Sequence, residues 1–231
     1  MPRQQRHDKI RLAPDAYAAA ELMILRLVRG QLTSSELPAE LAPPGLSEIL
    51  SELYRLGLSA AGFSPHRVEW GACLVVVQDQ IARGHSPVQG TATGVGPACC
   101  PEGHPAYVGF AHTHPPDEYG PLVGLSAEDF RATVVDGDSL AMACNGPEVF
   151  ALVRSADCTV PRTIPSDRTF GNWRRRYSAV IRYWTSGVGR DEAFYRANEE
   201  LCERLGFAFY RGEYGQPLKR IFRPARSGSI R

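Results

Sequence analysis

The chain has 231 residues and a formal net charge of +1, from 26 Lys and Arg against 25 Asp and Glu. That length holds one substantial domain, alone or with helical additions, and the balanced charge supplies no overall attraction to nucleic acid or to an acidic membrane surface. No apolar run reaches the roughly 20 residues of a spanning helix, and no hydrophobic core follows the basic start Met1-Pro2-Arg3-Gln4-Gln5-Arg6-His7, so a cytoplasmic protein without a membrane partner is expected.

In chain order, residues 15–29 place Ala18, Leu22, Leu25 and Leu27 near helical spacing and stop at Gly30, which predicts a first helix. A proline-rich linker, with Pro38 and Pro43-Pro44-Gly45, precedes a second helix. Ser47 caps it, Ile49, Leu50, Leu53 and Leu56 point inward, and Gly57 is its stop. Glu69 is an isolated acid opening a strongly β-branched run, so 68–78 reads as a central strand, and 89–94 as another. The apolar, partly aromatic run 106–111 predicts a buried strand, with 107–111 at its centre. It delivers His112 and His114 to one face of its C-terminal end, because side chains two apart in a strand share a face.

The stretch from Pro115 to Pro121 is a loop by composition. Tyr119, Leu122 and Val123 give the whole connection between His114 and Ser126 apolar groups that a solvated loop does not need, so it is expected to overhang the histidines and contact substrate or a partner. Ser126, followed by Glu128 and Asp129, has the pattern of a helix N-cap, which turns the Asp129 carboxylate back toward the strand end. Asp136 and Asp138 flank Gly137 and read as a turn. Strands at 139–143 and 149–154 flank Asn145-Gly146-Pro147. Beyond Pro165, Trp173, Tyr177, Ile181 and Trp184 recur at helical spacing, as do Phe194, Ala197, Leu201 and Leu205, predicting two packed helices. The expected class is α+β, a mixed sheet with packed helices, divided as 1–64 (helical), 65–160 (the sheet domain) and 161–231 (helical extension and basic tail). Arg174-Arg175-Arg176 and the tail from Lys219-Arg220 to Arg231 read as a solvated helix face and a disordered tail rather than a nucleic-acid surface.

Two imidazoles and one carboxylate suit a zinc ion that keeps its fourth position for water, whose pKa the metal lowers to about 7. A further acid must then accept the water's proton and hand it to a leaving amine. Glu69 is the first choice, and Asp117 and Glu118 compete from the loop. Amidohydrolase barrels also use an HxH pair, but they draw further histidines from later strands. Here His7, His66, His85 and His104 all precede the pair. The six cysteines show no CxxC spacing, which argues against a structural zinc knuckle. Cys73 and Cys144 read as small core residues and Cys99-Cys100 as a loop pair.

Taken together, Glu69 with Gly71 just beyond it, His112-Thr113-His114-Pro115 and Ser126-Ala127-Glu128-Asp129 resemble the JAMM motif, E…HxHP…SxxD, of the JAB/MPN metalloprotease domain. The similarity spans residues 66–155 and is nearest to bacterial stand-alone or toxin-associated members. It implies a cytidine-deaminase-like α+β fold and zinc (Zn2+) held by His112, His114 and Asp129. It also implies Glu69 as general acid/base and Ser126 as stabiliser of the tetrahedral intermediate. The implied substrate is a peptide or a ubiquitin-like, Gly-rich protein tail, clamped by the loops at 84–96 and 115–124. The alternative expectation is a non-catalytic adaptor on the same fold, or a toxin- or effector-system component.

Overall fold

A computed structural model describes residues 25–27, 29–42, 45–63, 68–78, 80–91, 94–95, 106–115, 124–135, 138–145, 148–158 and 167–221. The elements are β1 (Glu40–Leu41), α1 (Leu46–Phe63), β2 (Trp70–Val77), β3 (Gln80–Arg83), β4 (Val88–Gln89), β5 (Tyr107–Thr113) and α2 (Ala127–Val135). They continue with β6 (Leu140–Asn145), β7 (Glu148–Arg154), α3 (Asp167–Thr185), α4 (Arg190–Leu205), β8 (Phe207–Glu213) and β9 (Leu218–Arg220). The class is mixed α+β. Among the described residues the strands form one nine-stranded sheet in the order β1-β9-β8-β7-β6-β5-β2-β3, with β4 paired to β2.

β6 and β7 are apolar on both faces and lie at the middle of the sheet, as doubly covered strands must. Their side chains divide between two cores. Leu140, Met142, Cys144, Val149, Ala151 and Val153 face one side, where Ile49, Leu50 and Leu53 of α1 cover them. Ala141, Ala143, Phe150 and Leu152 face the other, packed with Phe130 of α2, Tyr177 of α3 and Leu201 of α4. β5 and β6 run parallel, with α2 in the connection between them, while β2 pairs β5 and β7 pairs β6 antiparallel. The site therefore sits on the three-helix side, at the C-terminal end of the parallel pair.

Five sequence expectations change. α1 begins at Leu46, so Ser47, expected as its cap, lies within its first turn. α1 does not stop at Gly57 but runs to Phe63. A β-carbon at Gly57 would lie 3.3 Å from Thr113 Cγ2, so this glycine serves helix–strand approach rather than termination. The strand expected at 89–94 is short: β4 ends at Gln89, and the Thr91 N–H donates to the Gly94 carbonyl at 2.8 Å. The 161–231 segment is not only helical. Gly206, left-handed at φ 77, ends α4, and the apolar run Phe207-Ala208-Phe209-Tyr210 after it becomes β8 in the same sheet, next to β7. Cys73 is buried as expected but disulfide-bonded rather than an inert thiol. Of the first expected helix, residues 25–27 and 29 are described; 25–27 are helical and Arg29 lies in a turn. Among the described residues no helix is long and apolar enough to cross a membrane.

Candidate metal centre

The centre begins with an irregularity in β5. Leu74 of β2 pairs Gly109 while the adjacent Val75 pairs Tyr107, so β5 carries one extra residue, a bulge at 108–109. Gly109 has φ +154, and a β-carbon there would lie 1.7 Å from the Leu140 carbonyl oxygen. The bulge shifts the alternation. Val108 and Ala111, three apart, share the α1 core, and Phe110 and His112 turn to the opposite side, toward α2. His112 is 2% exposed in the strand and His114, 6% exposed, lies one residue past its end. The His114 N–H, bonded to the Cys144 carbonyl at 2.8 Å, continues the pairing with β6. The Phe110 ring stacks on His112 with centroids 5.2 Å apart, fixing the imidazole plane.

The carboxylate comes from the first turn of α2. Ser126, just ahead of the helix, accepts the Asp129 N–H at its Oγ (3.2 Å), and the Ser126 N–H donates to Asp129 Oδ2 at 2.6 Å. This reciprocal cap satisfies two otherwise unpaired donors and holds the aspartate at the helix start. His112 Nε2 stands 2.9 Å from Asp129 Oδ1, His114 Nε2 stands 3.2 Å from Oδ2, and the two Nε2 atoms are 2.8 Å apart.

Glu69 immediately precedes β2, its N–H bonded to Thr91 and its carbonyl to Gly90. It is half-buried, and with His112, Ser126 and Asp129 it lines a cavity of about 180 Å³ whose lining also includes the apolar Val95 and Phe110. Burial raises the Glu69 pKa above the ordinary carboxylate value, and Asp129 pushes the same way. The two histidines only partly oppose this. Burial alone would raise Asp129 too, yet the charges and hydrogen bonds of His112 and His114 hold it well below its usual range. For His112, burial disfavours the charged form, but the Asp129 charge and hydrogen bond outweigh it and the pKa rises.

His112, His114 and Asp129 form a buried group that could hold a metal ion, with one ligand atom from each and all three within 4.8 Å of one another. The donor set fits a small divalent cation. Tetrahedral bonds of about 2.0–2.1 Å place neighbouring ligand atoms about 3.3 Å apart, so the observed 2.8, 2.9 and 3.2 Å require only a slight spreading of the rings. Two imidazole nitrogens and a carboxylate leave room for a fourth ligand.

Glu69, Ser126, His112, His114 and Asp129 are thus brought together, while Tyr119, Leu122, Val123, Asp117 and Glu118 lie outside the described residues, as do Cys99 and Cys100. Asp138, expected in a turn, is buried and lines the same cavity. Sequence reasoning missed Asn198 and Tyr177, which grip the backbone just before Ser126. An asparagine among the small and apolar residues of the inward face of a charged helix was the available signal. Comparison with family models, curated proteins and solved structures finds no match to this chain.

Proposed function

We propose that this chain is a zinc-dependent peptidase or isopeptidase of the JAB/MPN kind, hydrolysing an amide bond in a peptide or a ubiquitin-like protein tail. One observation carries the reading: three metal-competent atoms converge beside a cavity that also holds an acid outside the ligand set, Glu69, with its pKa raised by burial. An adaptor has no chemical need of that fourth group. Bound zinc would polarise the scissile carbonyl and lower the pKa of water to about 7.

The protein's own residues supply the rest. Glu69, more basic than an exposed carboxylate, accepts a proton from the attacking water and returns it to the leaving amine. The Ser126 Oγ accepts the Asp129 N–H, so its hydroxyl hydrogen remains available for the developing oxyanion. Val95 and Phe110 contribute apolar surface to the cavity wall beside the reacting groups.

Glu69→Gln keeps the shape of the side chain without its basicity. It is expected to retain zinc and to lose on the order of 10²-fold or more in hydrolysis of a ubiquitin-like fusion with a Gly-rich tail. Wild-type turnover in Glu69→Gln would remove Glu69 from the mechanism. Full zinc content with no chelator-sensitive hydrolysis in the wild-type chain would favour the adaptor.

A further inference from the structure

Asn198 lies on α4 and is fully buried, an environment in which an amide is stable only when its donors and acceptor are all bonded. Its Oδ1 accepts the Leu125 N–H at 2.8 Å, and its Nδ2 donates to the Leu125 carbonyl at 3.1 Å and to the Phe194 carbonyl at 2.9 Å. That pattern of one accepted and two donated bonds fixes which way the amide points. The Leu125 carbonyl takes a second bond, 2.6 Å long, from the hydroxyl of Tyr177 on α3. Gly124 is left-handed at φ +95, and a β-carbon on it would lie 3.0 Å from the Asn198 amide, so the chain passes this side chain more tightly than a residue bearing a β-carbon usually does.

Both polar groups of a single peptide residue are therefore held by side chains of the α3/α4 hairpin. That residue is the one before Ser126, whose N–H and Oγ hold Asp129. A displaced Leu125 carries Ser126 with it, and the Asp129 carboxylate then leaves the position it shares with His112 and His114.

We infer that Asn198 and Tyr177 are positioning residues of the metal centre: the hairpin sets the 126–129 turn, and through it the carboxylate ligand, by clamping the Leu125 peptide. This rests on the reading that His112, His114 and Asp129 hold a divalent metal. Supporting groups of this kind change metal affinity without touching the ion.

The test is a cobalt(II) titration of the full chain, followed by visible absorption, for the wild type, Asn198→Ala and Tyr177→Phe. Asn198→Ala is expected to weaken cobalt binding on the order of 10- to 100-fold and to change the position or intensity of the d–d bands at saturation. Tyr177→Phe, which keeps the packed ring and removes one bond, is expected to weaken binding several-fold in the same direction. A wild-type chain that takes up no cobalt overturns the metal reading and this inference with it. Cobalt bound by the wild type, with affinity and spectrum unchanged in Asn198→Ala, overturns the inference alone, because the amide then only anchors the hairpin. If Asn198→Ala does not fold, Tyr177→Phe decides: wild-type affinity and spectrum in that variant refute the clamp.

Discussion

At the scale of single residues, a metal held as proposed would compete with a proton for the His112 imidazole. Asp129 raises the pKa of His112, so a cation must displace a proton at any pH below that raised value. The sign follows directly: His112 is protonated on the acid side, so affinity falls as pH falls through its pKa and levels off above it. Zinc affinity, measured by competition with a chromophoric chelator across pH, is expected to drop about tenfold per unit on the acid limb for one displaced proton. That limb should begin above the ordinary histidine value of about 6.5. Affinity that stays flat down to the carboxylate range would exclude His112 as a ligand. The clustering of His112, His114 and Asp129 was legible because its determinants are local. His112 and His114 share a face through strand periodicity, and Ser126 with Asp129 forms a cap within one helical turn. Asn198 and Tyr177 were not, because their bonds to Leu125 join residues 73 and 52 positions apart, a pairing that no local pattern encodes.

At the scale of elements, the bulge in β5 aims the histidines. A glycine inside an apolar strand run signals a bulge or a close backbone approach, and Gly109 marks both. The alternation read from His112 and His114 holds on the C-terminal side of this glycine. It breaks on the N-terminal side, where Val108 falls in the same core as Ala111. Gly109→Ala would force a β-carbon to within 1.7 Å of the Leu140 oxygen, in a conformation that costs roughly 1–3 kcal/mol for a side-chain-bearing residue before any clash is counted. For a chain of this size each kcal/mol lowers the melting temperature by about 2–4 °C. The variant is therefore expected to melt several degrees lower by calorimetry and to bind zinc more weakly than the wild type. Unchanged melting and affinity would show that the bulge has no part in placing His112.

At the scale of the whole molecule, the sheet crosses the boundary that composition suggested near residue 160. The helices beyond it were legible from their aromatic and aliphatic spacing. β8 and β9 were not, because a seven-residue and a three-residue strand after a helix-stopping glycine carry little periodicity of their own and take their form from pairing with β7 and β1. Removing 161–231 would strip β8 from β7, expose Phe150 and Leu152, and take away the clamp on Leu125. The truncated chain is expected to aggregate or to lack a cooperative unfolding transition. A soluble product with wild-type zinc content would establish 1–160 as a self-sufficient unit. The central claim, that His112, His114 and Asp129 together hold one catalytic zinc, is tested most directly by elemental analysis of protein purified without added metal. The account predicts close to one zinc per wild-type chain and almost none in the His112→Ala/His114→Ala double variant, whereas equal zinc in the two proteins would contradict it.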